Sequence, residues 1–174
     1  MIGHAILSHG LESSPDATKA VALAKVAVAL GWSSECPDYR PYDNDRNHGR
    51  LGNIEARLQH LEKIARQDKR PLVLAGSSMG AFISARASLT VPVAGLFLMA
   101  PPTQLQGFDT GLQAADVPTQ IIHGWDDELI PAADVARWAS ARRAHTVFVN
   151  DSHRLAAHVE FCASEFGRFL QGLS

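Results

Sequence analysis

The chain has 174 residues, 46% of them hydrophobic and 20% charged, with a formal net charge of −2. That length suits one domain over 1–174 with a substantial core, and the near-neutral balance, without a basic stripe or arm, argues against a nucleic-acid partner. The two cysteines, Cys36 and Cys162, are too few for a disulfide framework and lack metal-ligand spacing, so each is expected to be a small buried hydrophobe.

Met1-Ile2-Gly3-His4 carries no basic stretch of the signal-peptide kind and runs directly into a strand over 4–8. A helix is predicted over 15–30, with Ser14 as N-cap, Pro15 at the first helical position and Gly31 closing it. Its apolar stretch is interrupted by Lys25 and is too short to span a bilayer, so a buried helix is the better reading. No membrane contact is expected, and a cytoplasmic location follows by default. A second strand over 33–37 leads to the polar loop 42–50, the least structured stretch, read as a solvated loop. A helix over 52–67 follows, its apolar positions Ile54, Leu58, Leu61 and Ile64 recurring at three- to four-residue spacing.

The apolar run over 71–75 ends in Gly76-Ser77-Ser78-Met79-Gly80, and a helical segment over 81–89 follows. Strand, G-x-S-x-G and helix together form a nucleophile-elbow pattern with Ser78 at its apex. Further strands are predicted over 94–100, 119–123 and 145–149, with helices over 131–142 and 154–170. The segment 101–118 has room for one helical turn or two but not for a separate domain. No internal repeat or low-complexity tract is visible. Strand and helix alternate throughout, which predicts a parallel sheet covered on both faces.

A serine hydroxyl is a weak nucleophile until an imidazole takes its proton, and that imidazole needs a carboxylate to fix its tautomer. In such sheets the reacting groups sit on loops leaving the carboxyl ends of strands. The fifth strand is followed by His123-Gly124-Trp125-Asp126-Asp127-Glu128-Leu129-Ile130-Pro131, which supplies carboxylates. The sixth is followed by Asn150-Asp151-Ser152-His153-Arg154-Leu155, which supplies a histidine. Serine, then acid, then histidine is the chain order of the α/β-hydrolases.

The chain resembles that superfamily from His9 to His153. The run from His123 to Pro131 resembles its acid loop, and that alignment implies Asp127 as the triad acid, with Asp126 as the rival. The run from Asp151 to Leu155 resembles its histidine loop and implies His153 as the base. Asp151 is expected to be a loop residue, because the orienting acid should come from a separate strand end. His9-Gly10 at the end of the first strand resembles the oxyanion loop, so the backbone N–H groups of Leu11 and Met79 are the implied oxyanion donors. His9 and His123 are expected to be structural, and His60 and His158 to lie at the surface or an edge. His153 and His158 are five apart and do not match a zinc helix, so no metal or other cofactor is expected.

Leu11, Met79 and Trp125 are expected to shape an acyl pocket, with Pro101 and Leu105 as an apolar wall. Trp125 packing on the sheet edge is an equal alternative. Only six strands are counted, against about eight in larger members of the superfamily. The implied fold is a reduced, doubly wound, mostly parallel six-stranded sheet in the order 2-1-3-4-5-6, without a cap domain. His9 to Pro15 reads His-Gly-Leu-Glu-Ser-Ser-Pro, similar to the oxyanion loop of small lidless bacterial esterases. The resemblance implies a serine esterase acting on small carboxylic esters through an acyl-enzyme. An acyl thioesterase with the same triad and a non-catalytic binding or signalling protein are the alternatives, and the oligomeric state is open.

Overall fold

The structure is a computed structural model that describes residues 1–173. Short strands, apolar except for the polar edge strand β2, pair in parallel into one six-stranded sheet of order β2-β1-β3-β4-β5-β6. The strands are β1 (His4–Ser8), β2 (Ser33–Glu35), β3 (Leu72–Ser77), β4 (Gly95–Met99), β5 (Thr119–Gly124) and β6 (His145–Val149). Between and after them lie α1 (Thr18–Ala29), α2 (Arg40–Asp43), α3 (Ile54–Ala65), α4 (Met79–Ala87), α5 (Ala132–Arg142) and α6 (Val159–Gly172), with 3-10 turns at Arg46–His48 and Ala156–His158.

Side chains alternate across a strand, so one apolar run feeds two cores. Ile6, Leu72, Leu74, Leu96, Leu98 and Ile121 face one side, where they meet Leu58 and Leu61 of α3, Phe82 of α4 and Val135 of α5. Ala5, Leu7, Val73, Ala75, Phe97, Met99 and Ile122 face the other, where Leu23 and Ala27 of α1 and Cys162, Phe166 and Leu170 of α6 cover them. Cys36, by contrast, is only partly buried. No helix among the described residues is long and apolar enough to cross a membrane.

The strand order matches the sequence expectation; several element boundaries do not. α1 begins at Thr18 rather than Pro15, because Ser14 closes a turn instead of capping a helix. Its hydroxyl accepts the Asp16 N–H at 3.2 Å and its carbonyl accepts the Ala17 N–H at 3.1 Å. The loop 42–50 is not simply solvated, since α2 and a 3-10 turn occupy this stretch and the Asp43 side chain points inward, 6% exposed. The segment 101–118 forms turns rather than a helix. It is closed by the Leu105–Phe108 bridge and by the Leu112 N–H on the Thr103 carbonyl at 2.9 Å. Phe108 lies edge-on against Phe82 at 5.2 Å. The sheet therefore carries no cap domain.

After β1 the chain steps to β2 on one side, and it later returns to β3 on the other. The gap between the carboxyl ends of β1 and β3 is thus the point where the winding reverses, which is where open α/β sheets bind ligands. α4 crosses close beneath this gap. A Cβ on Gly80 would overlap the Ser8 carbonyl, and one on Gly76 would overlap the Gly80 carbonyl. Backbone cannot move aside as a flexible side chain can. Gly80→Ala is therefore expected to lower the unfolding free energy by about 2 kcal/mol or more, as overpacking at a rigid contact does. Urea denaturation checks this, and a loss under about 0.5 kcal/mol would show that the contact yields.

Candidate active site

Ser78 ends β3 and begins α4 in a conformation that non-glycine residues seldom adopt, φ 53° and ψ −117°. Such strain costs roughly 1–3 kcal/mol and persists where surroundings over-determine it. Here the Ser78 N–H donates to the Met99 carbonyl at 2.9 Å, while Gly76 and Gly80 pack backbone on backbone. The outcome is a half-buried hydroxyl raised above the carboxyl edge of the sheet, at the positive end of α4.

Ser78 Oγ lies 2.9 Å from His153 Nε2, and His153 Nδ1 lies 2.7 Å from Asp127 Oδ2. An ionised carboxylate only accepts, so the imidazole proton is on Nδ1 and bare Nε2 accepts from the serine O–H. The other Asp127 oxygen, Oδ1, accepts the N–H groups of Leu129 at 2.9 Å and Ile130 at 2.8 Å. Burial pushes the Asp127 carboxyl up. The bonds from His153, Ile130 and Leu129 outweigh burial and hold it below the usual 3.8, so it stays ionised.

The acid and histidine loops are zipped together. Trp125 N–H donates to the Val149 carbonyl at 2.8 Å and Asp126 N–H to the Asp151 carbonyl at 3.1 Å. Gly124 permits this approach, since a Cβ there would overlap the Asp151 carbonyl. Asp126 is exposed, and its side chain makes no hydrogen bond to His153. Asp151 instead organises its own loop, accepting from Ser152 N–H, Ala157 N–H and His158 Nδ1 at 2.7–3.0 Å. Glu128, not singled out from the sequence, accepts the His153 N–H at 3.1 Å. Lys19 of α1 donates to the Arg154 carbonyl. His123 is fully buried behind the acid, with Nε2 donating to the Ile130 carbonyl at 2.9 Å and 3.4 Å from Asp127 Oδ2.

The loop after β1 lies against the elbow. A Cβ on Gly10 would stand 3.3 Å from the Ser77 carbonyl and 3.6 Å from Ser78 Cβ. Leu11 and Met79 both pack on the α3–α4 side of the core, and the N–H of Met79, first in its helix, has no intrahelical partner. His9 is buried. Its Nε2 accepts the Tyr39 N–H at 3.0 Å, which forces the proton onto Nδ1, where it is donated to the Gly10 carbonyl at 2.8 Å. Beneath this loop sits Arg57, 1% exposed and paired with Asp43 at 2.8 Å. Neither residue stands out as functional in the sequence alone. The signal was a charged residue at position 57 within the apolar stripe of Ile54, Leu58 and Leu61, with carboxylates waiting in the loop before it.

The expected pocket residues are less concentrated. Trp125 is 59% exposed and stacks on Phe148 at 4.5 Å, the sheet-edge packing that was the alternative. Pro101 is buried, and Leu105 packs against the core of the α4 side. Two surface clefts of about 260 and 340 Å³ are lined by residues 116–119 with 142–144 and by Leu89, 112–114, Trp138, Ala141 and Arg142. Neither is lined by Ser78, Asp127 or His153.

The chain matches the family model described as the alpha/beta hydrolase family over residues 7–172. Among solved structures it is similar to a protein of the alpha/beta hydrolase superfamily from Xanthomonas campestris pv. campestris. The two are 52% identical, the match covers 98% of this chain and 99% of that one, and the TM-score is 0.95. A serine hydrolase without lid from Xanthomonas campestris shares the fold at 21% identity, TM-score 0.75, with 98% and 81% of the two chains covered. An alpha-beta serine hydrolase homologue from Coxiella burnetii is 26% identical, TM-score 0.73, with 98% and 86% covered. A comparison with curated proteins found no match.

Burial holds the imidazoles of His9 and His123 below the ordinary 6.5. Their backbone hydrogen bonds oppose this only in part, while Arg57 lowers His9 further and His153 lowers His123. The unfolded chain therefore takes up protons at these positions before the folded chain does. Their contribution to stability is complete above about pH 6.5 and declines as pH falls below it. Thermal melts of the wild type and His123→Gln between pH 8 and 5 check the sign: the wild type is expected to lose more stability on acidification than the variant. Parallel curves would show that His123 does not resist protonation.

Proposed function

The chain belongs to the alpha/beta hydrolase family, and from that premise we propose that it is a serine hydrolase cleaving small carboxylic esters through an acyl-enzyme on Ser78. One observation carries the reading: Ser78 Oγ, His153 and Asp127 form a continuous hydrogen-bonded line of 2.9 and 2.7 Å with the tautomer that base catalysis needs.

Ser78 Oγ attacks the ester carbonyl carbon as His153 Nε2 takes its proton. Asp127 holds the imidazole in register and stabilises the imidazolium. The carbonyl π pair moves onto oxygen, and the N–H groups of Leu11 and Met79 receive that charge. Collapse breaks the bond to the alkoxide, which leaves as the alcohol with the proton from His153. Water, deprotonated by His153, attacks the acyl-enzyme, and the carboxylic acid departs as Ser78 regains its proton. The absence of a cap over Ser78 supports small or exposed esters. Cys36 and Cys162 are unpaired, in keeping with a reducing, cytoplasmic setting.

A fluorophosphonate probe is expected to label the wild type and not Ser78→Ala. With p-nitrophenyl acetate, His153→Ala and Asp127→Asn should each lower kcat by about 10⁴-fold or more, and Asp126→Asn by less than about threefold. Acyl-CoA thioesters in the same assay separate ester from thioester preference. Labelling of Ser78→Ala, or a larger loss at Asp126 than at Asp127, would contradict the assignment.

A further inference from the structure

Arg57 makes no hydrogen bond to Ser78, Asp127 or His153, yet its guanidinium is committed to the loop beside them. Nε and Nη2 grip the two Asp43 carboxylate oxygens at 2.8 and 3.0 Å. The same group donates through Nη1 to the His9 carbonyl at 2.9 Å and through Nη2 to the Gly10 carbonyl at 3.1 Å. The Gly10 carbonyl also takes the proton of His9 Nδ1 at 2.8 Å. Tyr39 completes the seat. Its ring lies 4.4 Å from the guanidinium carbon, and its hydroxyl meets Ser8 Oγ at 2.8 Å.

A peptide unit is planar and trans, so its C=O and N–H point to opposite edges of one rigid plane. The Gly10 carbonyl and the Leu11 N–H belong to the same unit. Two donors hold that carbonyl inward, so the Leu11 N–H must point the other way, and no acceptor among the described residues takes it. The loop bearing it is in contact distance of Ser78. A flip of this peptide would strip the Gly10 carbonyl of both donors and leave a buried guanidinium N–H without an acceptor.

We infer that Arg57, clamped by Asp43, is a positioning residue that sets the Leu11 N–H as an oxyanion donor; this rests on the hydrolase reading above. The pair makes the α2 segment part of the catalytic apparatus without contact to substrate. A lysine cannot substitute, because a single ammonium cannot grip a carboxylate and two carbonyls in one plane.

The test compares wild type, Arg57→Lys and Asp43→Asn on p-nitrophenyl acetate, with active sites counted by fluorophosphonate titration and folding followed by thermal melts. The same proteins are titrated with an aryl trifluoromethyl ketone, whose adduct with serine carries an oxyanion. Arg57→Lys is expected to lower kcat per active site by about 10- to 100-fold with KM within about threefold. The ketone affinity should fall by a similar factor, since both report the oxyanion. Asp43→Asn should show the same pattern more weakly. A variant with a lowered melting temperature but unchanged kcat and ketone affinity would overturn the inference, leaving Arg57 merely structural. Should both variants unfold, a crystal structure of the phosphonylated wild type decides. A phosphonyl oxygen on Leu11 N, with the Gly10 carbonyl still on Arg57, supports the inference, and a flipped Gly10–Leu11 peptide overturns it. A wild type inert to probe and ester would overturn the hydrolase reading and this inference together.

Discussion

A methyl group at position 80 would lie inside the Ser8 carbonyl, and the rest of the site depends on that closeness. α4 presses its first turn onto the end of β1, which brings the elbow and the loop after β1 together at the gap where the sheet reverses its winding. Ser78 carries the backbone strain of this arrangement at φ 53°. The strain is held by the Met99 carbonyl, by two glycines and by a buried apolar cluster on either face of the sheet. Local conformation, packing and chemistry meet at one contact between two backbones.

Around that contact, burial and hydrogen bonding divide the titratable groups into fixed roles. Asp127 is buried yet stays ionised, because His153 and two backbone N–H groups face its oxygens. His9 and His123 are buried and stay neutral, each with its tautomer set by a backbone partner. His153 alone has both ring nitrogens in the line between acid and serine. The ion pair of Arg57 and Asp43 is of the kind whose desolvation often cancels its attraction. Its value here lies in direction, since the guanidinium has hydrogen bonds left for two loop carbonyls.

The convergence of Ser78, Asp127 and His153 was legible because each sits in a short motif at a strand end, and strand ends are read from local apolar runs. The strand order was legible for a related reason: alternation of strand and helix leaves few windings for six parallel strands. The start of α1 differs because Ser14-Pro15 carries two local signals at once: a helix-start pattern, and a turn in which the Ser14 hydroxyl and carbonyl accept the Asp16 and Ala17 N–H groups, and the turn wins. Arg57 and Asp43 stayed hidden because their meaning lies in each other. One looked like a charge on a helix and the other like a charge in a polar loop, and only the packing of α2 against α3 joins them. Trp125 was ambiguous in sequence because a large ring serves a pocket or a sheet edge equally well, and its stacking partner Phe148 lies on a different strand.

The absence of a cap domain leaves the Ser78 hydroxyl dependent on the sheet edge and its loops alone, so the decisive chemistry is at that oxygen. The measurement is the intact mass of the protein quenched in acid within its first turnover of p-nitrophenyl acetate, followed by fragment sequencing of the modified peptide. The expected result is a single added acetyl group, located on Ser78. An unmodified protein that nevertheless releases p-nitrophenol with turnover, or an acetyl group on any other residue, would contradict it.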